Sequence, residues 1–372
     1  MGNSYTNYNN LPQLTAILAG SAGDTLIVDS NTPGGYTLQS HSTNANSIGK
    51  IAQGSWDFVV LQEQSQRPSF PQWQVEADVF PYAKVLDSII NKENPCAETI
   101  FYMTWGRKNG DASNCANWPP VCTYEGMDSL LSLRYRMMAD SNDAIISPVG
   151  ATWNYIRANY PNIGLYSPDE SHPSPEGSYA AACCFYTVIF RKDPTLITND
   201  ASIDSTEAAQ IRMATKAVVF DSLSKWHVGD YDVFVEYNHL PSLNVGVPFQ
   251  SNTRNTSFIY WEILDSVYRV DSPIVNIPND GDIPIRLVAG NECDTVVILD
   301  TIPIYRVSNQ SPAESSLQII PNPATNNISL KSAISGEFNF KIFGLHGSLI
   351  KQGMIRNEEK IDISSFSPGN YI

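Results

Sequence analysis

The pattern of predicted secondary structure changes once along the chain, near Trp226. Before that residue, short apolar runs alternate with stretches of helical periodicity. After it, β-rich runs follow one another, separated by clusters of Asn, Asp, Gly and Pro. Because continuous apolar runs are typical of parallel strands covered on both faces, residues 1–226 are predicted to form an α/β domain with a parallel sheet. The strand-rich remainder predicts small all-β domains.

The predicted elements divide the chain into four parts. In the first part, the expected strands are 25–29, 56–61, 99–104 and 144–149. The expected helices there are 11–19, 75–91, 127–140, 152–159, 176–190 and 206–226. The three further parts are a β-sandwich, a polar linker and a second β-rich domain, at 227–308, 309–316 and 317–372.

Charge and hydropathy weigh against two classes of partner. The formal net charge is -15, and an acidic chain is repelled by phosphate backbones, so no nucleic-acid partner is expected. The sequence contains no run of about 18 apolar residues, so no transmembrane helix is predicted.

The cysteines leave two questions open. Cys115 and Cys122 bracket a short polar loop, which favours a local disulfide in an oxidising compartment. A zinc site is the alternative, but no Cys-x-x-Cys pair or nearby His supports it. Cys183 and Cys184 lie in an apolar helical stretch, where buried thiols are expected, although one of them could instead pair with Cys96.

The loop at 167–177 carries a potential general base. Asp169 precedes His172 by three residues, and Pro168 and Pro173 stiffen the loop around the pair. A carboxylate at this spacing can orient an imidazole and fix its tautomer, as a general base requires. Ser174 then reads as the N-cap of the next helix. The alternative is an ordinary surface loop.

Two motifs, and their order along the chain, resemble those of the SGNH/GDSL hydrolases. The resemblance covers about the first 226 residues. The motifs are Gly2-Asn-Ser-Tyr-Thr6 and the Asp169-x-x-His172 loop. The resemblance implies a flavodoxin-like three-layer α/β fold and a serine esterase with no cofactor and no metal. It also implies that Ser4 is the nucleophile, His172 the base and Asp169 the acid that orients it. The alternative role for Ser4 is a helix N-cap.

The same resemblance implies an oxyanion hole built from the Ser4 N–H, a glycine after the second strand and an amide side chain after the third. Gly35 is the expected glycine, with Gly34 as the alternative, although either could be a simple turn residue. The family's Asn is missing here. Gln62 is expected to donate in its place, with Gln64 as the alternative.

Trp105 and Arg107 follow the predicted strand 99–104 and should face the cleft of an open α/β sheet. They also resemble residues in a secreted bacterial subgroup of the same family. Trp105 could stack on a sugar and Arg107 could bind an anionic group. The alternatives are a core tryptophan and an arginine paired with an acid.

The C-terminal part resembles a type IX secretion sorting domain through its motifs at 321–324, 342–347 and 361–371. The resemblance implies export in Bacteroidetes-type bacteria, engagement with the secretion machinery, and a secreted or outer-membrane-attached product. Residues 227–308 resemble immunoglobulin-like or PKD modules.

We expect the sequence to be a fragment without its signal peptide and first strand, truncated also at its end. With no strand before Ser4, we expect the Asp169–His172 loop to be better anchored than the nucleophile.

Three functions are compatible with these features. The first is a secreted esterase that removes a small, acetyl-like acyl group from a simple ester or an acylated glycan. The second is a non-catalytic surface protein that binds carbohydrate or adheres, although a binder has no reason to keep Ser4, Asp169 and His172 together. A metal-dependent phosphoesterase is disfavoured, because further His and Asp residues at ligand spacing are missing.

Overall fold

The computed structural model describes residues 1–240, 246–304, 318–332, 336–345 and 347–372. It divides into two units, Met1–Asp232 and Val233–Ile372, which we describe separately. The described residues of the first unit combine helices with parallel strands, and those of the second form strands without helices. An α/β part followed by all-β parts is therefore confirmed. The predicted linker 309–316 and His346 of the tail motif lie outside the described residues, and the predicted domain boundaries stay predictions.

Three short parallel strands form the sheet of the first unit, in the order β1-β2-β3. They are β1 Phe58–Leu61, β2 Glu98–Tyr102 and β3 Ile145–Ser147. Ile100 of β2 aligns with Val60 of β1 and with Ile145 of β3. Since most of these strand residues are buried, their continuous apolar character follows from cover on both faces.

Ten α-helices belong to the described part of this unit. They are α1 Ser4–Asn7, α2 Leu11–Ser21, α3 Leu38–Thr43, α4 Ala45–Ile51, α5 Gln72–Asp78, α6 Phe80–Glu93, α7 Tyr124–Ser141, α8 Val149–Asn159, α9 Pro175–Phe190 and α10 Ser205–Val218. The predicted helix 75–91 is two helices, because the chain breaks at Val79 and restarts with Pro81 in the first turn. The short helices α3 and α4 were not predicted; side chains of Thr37 and Asn44 cap them.

The predicted strand at 25–29 is wrong. The run has no regular secondary structure, and no strand pairs with it among the described residues, although a strand needs a ladder partner. A cavity of about 160 Å³ is lined by this run and by β1. Met1 also lines this cavity. Its amine donates to Val60 O at 2.6 Å, and Gln62 N–H donates to Met1 O at 3.0 Å. Burial lowers the pKa of that amine to about 5.

Helix α9 crosses the core of the first unit, with residues 177–188 all buried. Its Cys183 and Cys184 are free thiols, so the possible pairing of either with Cys96 is wrong. Burial raises the pKa of Cys184 to about 12, which makes it unreactive at neutral pH. Cys115 and Cys122, by contrast, form the expected disulfide.

The second unit is built from twelve described strands. They are β4 Phe234–His239, β5 Val247–Arg254, β6 Phe258–Ile263, β7 Ser266–Tyr268, β8 Ile274–Val275, β9 Gly281–Gly290, β10 Thr295–Ile304, β11 Gln318–Ile320, β12 Asn327–Lys331, β13 Glu337–Phe343, β14 Leu349–Arg356 and β15 Lys360–Asp362. The pairings between these described strands are antiparallel. One apolar cluster lies within residues 235–304 and another within 328–366.

Candidate active site

Ser4 is the first residue of the one-turn helix α1. Asn3 caps this helix, since its side chain accepts a hydrogen bond from Tyr5 N–H at 3.1 Å. Its carbonyl oxygen accepts from Thr6 and Asn7 N–H at 3.1 and 3.0 Å. Asn is among the preferred N-cap residues, so the reading of Ser4 as the cap is wrong. The Ser4 N–H is one of the first-turn donors that a helix leaves without an internal partner.

Hydrogen bonds from distant segments hold the backbone before Ser4. Gln62 Oε1 accepts from Asn3 N–H at 3.0 Å and from the Thr6 hydroxyl at 2.9 Å. His41 Nε2 lies 2.8 Å from Gly2 O. A Cβ on Gly2 would lie 2.3 Å from Thr6 Oγ1, so only glycine permits this close approach.

His41 is a residue that the sequence did not single out. Because Gly2 O can only accept, Nε2 carries the proton, and Nδ1 accepts from the Ser47 hydroxyl at 2.7 Å. Burial lowers the pKa of His41 to about 4. The imidazole is therefore neutral at physiological pH and serves as a fixed donor to the Ser4 turn.

The Asp169–His172 loop presents the imidazole to Ser4. Asp169 Oδ1 accepts from the N–H groups of Ser171 and His172 at 3.1 and 2.9 Å, while Oδ2 is hydrogen-bonded to His172 Nδ1. His172 Nε2 lies 2.8 Å from Ser4 Oγ. The structure thus brings together the three residues that were predicted as nucleophile, base and orienting acid.

The environment of Asp169 favours its charged form. Partial burial works against ionisation, but the hydrogen bonds from the imidazole and the two loop N–H groups outweigh it and lower the pKa of the Asp169 carboxyl. A carboxylate at this position requires the proton of the neutral imidazole to sit on Nδ1. Nε2 of His172 is then free to accept the proton of Ser4.

Contacts to Ser171 connect the base loop to the core. Trp105 Nε1 donates to Ser171 O at 3.0 Å, and the Tyr5 hydroxyl lies 2.7 Å from Ser171 Oγ. The loop is nevertheless exposed: the side chain of Asp169 is 47% exposed, whereas Asn3 is 2% exposed. The expectation that the base is better anchored than the nucleophile is wrong, because buried partners hold the Ser4 turn.

Gln62 does not offer its amide to an oxyanion. It is fully buried, its oxygen accepts from the Ser4 turn, and its Nε2 donates to Glu63 O. Its role in the structure is to position Asn3, which corrects its predicted role as a donor. Gln64 Nε2 lies 3.2 Å from both Ser65 Oγ and Gln66 Oε1, so its role as the alternative donor stays a prediction.

The turn at residues 33–36, which contains Gly34 and Gly35, lies beside the Ser4 turn. Tyr36 N–H donates to Pro33 O at 3.3 Å, and Gly35 has a φ of 72, a left-handed conformation that favours glycine. Tyr36 O accepts from Asn3 Nδ2 at 2.9 Å. This bond ties the two turns together, while the assignment of Gly35 or Gly34 to the oxyanion hole stays a prediction.

Trp105 and Arg107 are not placed as substrate contacts. Trp105 is fully buried and stacks between Tyr5 and Trp153, with ring centroids at 4.8 and 3.7 Å, so both its faces are covered. The guanidinium of Arg107 bonds the buried Asp111 at 2.9 Å and also Gln66. Both predicted roles are corrected: Trp105 supports the base loop, and the charge of Arg107 is already paired.

Comparison with known families identifies the C-terminal part of the chain. Residues 318–372 match the model of the secretion system C-terminal sorting domain. This part is a type IX sorting domain. It implies engagement with the type IX secretion machinery, and the protein is secreted or attached to the cell surface, as predicted.

No helix in the described part of the chain is long and apolar enough to cross a membrane. No curated protein matches the sequence significantly.

Three solved structures are similar to this chain. A DUF4886 family protein from Bacteroides uniformis is 17% identical with a TM-score of 0.51, over 60% of this chain and 92% of that one. A candidate SGNH hydrolase from Slackia heliotrinireducens is 24% identical with a TM-score of 0.39, over 50% and 94%. A candidate GDSL-like lipase from Parabacteroides merdae is 11% identical with a TM-score of 0.36, over 59% and 94%. The first of these three likenesses, at 17% identity, concerns the fold alone.

Proposed function

We propose that the first unit is a serine hydrolase of the SGNH type that cleaves ester bonds. The observation that carries the proposal is the line of contacts from Ser4 Oγ through the His172 imidazole to Asp169, with 2.8 Å between Oγ and Nε2. This is the arrangement of nucleophile, base and orienting acid that serine hydrolases of unrelated folds share. Motif, chain order and geometry therefore favour the same three residues.

In the first half-reaction, Ser4 Oγ forms a bond to the ester carbonyl carbon, and its proton passes to His172 Nε2. The tetrahedral intermediate collapses as the bond to the alkoxy oxygen breaks. That oxygen takes the proton from Nε2 and leaves as the alcohol. Asp169 stabilises the imidazolium while it exists, because its carboxylate accepts from Nδ1.

Water completes the cycle at the acyl-enzyme. His172 Nε2 takes one proton from the water, whose oxygen bonds to the acyl carbon. When the bond to Ser4 Oγ breaks, the proton returns to the serine and the carboxylic acid is released. The Ser4 N–H and a glycine N–H at 34 or 35 are the proposed donors to the oxyanion in both steps.

The proposed substrates carry a small acyl group, acetyl being the simplest case, on a simple alcohol or on a glycan hydroxyl. The sorting domain directs export, which favours a substrate outside the cell, such as an acylated glycan. The glycan substrate is therefore proposed from the location of the protein.

The test is hydrolysis of a short-chain aryl acetate by the full chain and by Ser4→Ala. The variant should lose at least about 10³-fold in kcat, since the nucleophile is absent. Ser141→Ala is a matched control, because this serine is exposed at the end of α7 and its hydroxyl donates to Met137 O of the same helix at 2.7 Å.

Two outcomes would count against the proposal. A folded wild-type protein that cleaves none of a panel of esters and acetylated glycans would favour the non-catalytic binder. A Ser4→Ala variant with full activity would place the nucleophile elsewhere.

A further inference from the structure

Tyr8 covers one face of the proposed base. Its ring is stacked on the His172 imidazole, with centroids 4.3 Å apart and an interplanar angle of 17°. Tyr8 is also 40% exposed, unlike Trp105, which lies buried between two other rings. Among the described aromatic rings in contact with His172, Tyr8 is the exposed one, since Tyr5 is 2% exposed.

The backbone after Tyr8 is shaped to hold it there. Asn9 and Asn10 both adopt left-handed conformations, with φ of 51 and 49, which asparagine tolerates better than most residues. Asn9 Nδ2 lies 3.0 Å from Ser174 O and 2.8 Å from Ser178 Oγ, at the start of α9. The bend therefore joins the Ser4 segment to the end of the base loop and sets Tyr8 against His172.

The proposed mechanism determines what lies next to this ring. The alcohol leaves with the proton of His172 Nε2, so the group attached to the alcohol oxygen must sit beside the imidazole while the bond breaks. Tyr8 borders the same imidazole. An aromatic face interacts well with another ring or with the apolar face of a sugar.

We propose that Tyr8 is a leaving-group subsite that selects esters of alcohols carrying a six-membered ring, a pyranose or a phenyl group. The subsite rests on the proposed esterase function. It gives the sugar-stacking role that the sequence suggested for Trp105 to a different, exposed aromatic residue. The Tyr8 ring packs against the ring of the alcohol, while the acyl group lies on the Ser4 side.

The experiment compares three acetate esters that share the acyl group: a glucose monoacetate, benzyl acetate and ethyl acetate. Acetate release is followed for wild type, Tyr8→Leu and Tyr8→Phe. Tyr8→Leu should lower kcat/KM about tenfold for the ring esters, chiefly through KM, because stacking on an aromatic face is lost. For ethyl acetate the loss should stay within about twofold. Tyr8→Phe should keep the wild-type preference for ring esters.

Trp73→Ala is the control, because Trp73 is another exposed aromatic, at 71% exposure, on helix α5. For this variant, the ratio of kcat/KM for the ring esters to kcat/KM for ethyl acetate should equal that of wild type. A loss confined to the glucose ester or to the benzyl ester supports the subsite and identifies the ring it takes.

Equal losses on all three esters, or no loss on any, would overturn the subsite and leave the esterase proposal intact. A wild type that cleaves none of the three would overturn both proposals. Melting temperatures of the variants show whether a loss reflects unfolding.

Discussion

The Ser4 turn and the Asp169–His172 loop meet at one hydrogen bond, yet they are held in place differently. The Ser4 turn is buried, and its backbone atoms bond side chains from two later parts of the chain, His41 and Gln62. The base loop is partly exposed and owes much of its shape to Asp169, which bonds two N–H groups of its own loop. Tertiary contacts therefore position the nucleophile, whereas local sequence shapes the base loop.

This difference has a physical consequence for the effect of mutations. A buried turn loses stability when a partner is removed, because its polar groups cannot turn to water instead. A solvent-exposed loop can replace lost hydrogen bonds with water, so its variants should remain folded. Damage on the base side should thus appear in turnover, and damage on the nucleophile side in stability as well.

Asp169→Asn should have the largest effect. It keeps the shape of the side chain but favours the wrong imidazole tautomer and removes the charge that stabilises the imidazolium. We expect kcat to fall by about 10⁴-fold with little change in melting temperature. Glu170→Gln, at the neighbouring exposed acid, should change kcat by less than about twofold. A variant Asp169→Asn with more than a tenth of wild-type turnover would show that the base does not depend on this acid.

Gln62→Leu tests the nucleophile side. It leaves the Asn3 N–H and the Thr6 hydroxyl without their buried acceptor, at about 1–3 kcal/mol each, so the free energy of unfolding should fall by about 2–6 kcal/mol. Gln64→Leu should stay within about 1 kcal/mol, since Gln64 is half-buried and its side chain bonds the adjacent Ser65 and Gln66. Denaturant titration measures both. If Gln62→Leu were as stable as wild type but slow, Gln62 would be an oxyanion donor after all.

Glu63→Gln tests a smaller, pH-dependent contribution to stability, also on the nucleophile side of the site. Burial raises the pKa of Glu63 from 4.5 to about 7, and its carboxyl accepts from Leu38 N–H at 3.1 Å. The folded state therefore holds this proton more tightly than the unfolded state does. The resulting stability is complete below pH 4.5 and is lost as the pH rises through about 7.

The variant has no such proton to lose. The difference in unfolding free energy between wild type and Glu63→Gln should therefore change by up to about 3 kcal/mol between pH 4.5 and 8. Urea unfolding at both pH values measures it. The control Glu76→Gln, at an exposed acid on α5, should behave as wild type. Parallel pH profiles for wild type and Glu63→Gln would mean that the pKa of Glu63 is the same in the folded and unfolded states.

The residues that the sequence predicted well are those whose information is local. Asp169 and His172 are three residues apart between two prolines, and that spacing alone allows their contact. Strands 58–61 and 98–102 are recognisable because cover on both faces favours runs of apolar residues, at 58–61 and at 100–102. Ser4 required the family resemblance, since nothing nearby marks a serine at the start of a short helix as a nucleophile.

The errors concern interactions between residues distant in sequence. Whether an amide such as Gln62 donates to substrate or accepts from the fold depends on its tertiary neighbours, which a sequence motif does not contain. The prediction for Trp105 was wrong for the same reason, because its position after a strand does not reveal that Tyr5 and Trp153 cover its two faces. The Asn9-Asn10 pair was a usable signal for Tyr8, as consecutive asparagines favour a left-handed bend.

The Cys115–Cys122 disulfide has a consequence for anyone who handles the protein in the laboratory. It closes the loop in which Asp111 bonds Arg107, and Arg107 in turn reaches Gln66. Dithiothreitol in a purification buffer would open this loop, while Cys183 and Cys184 are already reduced. Preparations from a bacterial cytoplasm and from a periplasm would then differ chemically next to the residues that follow β1. Rates from the two sources should be compared only after the thiols have been counted.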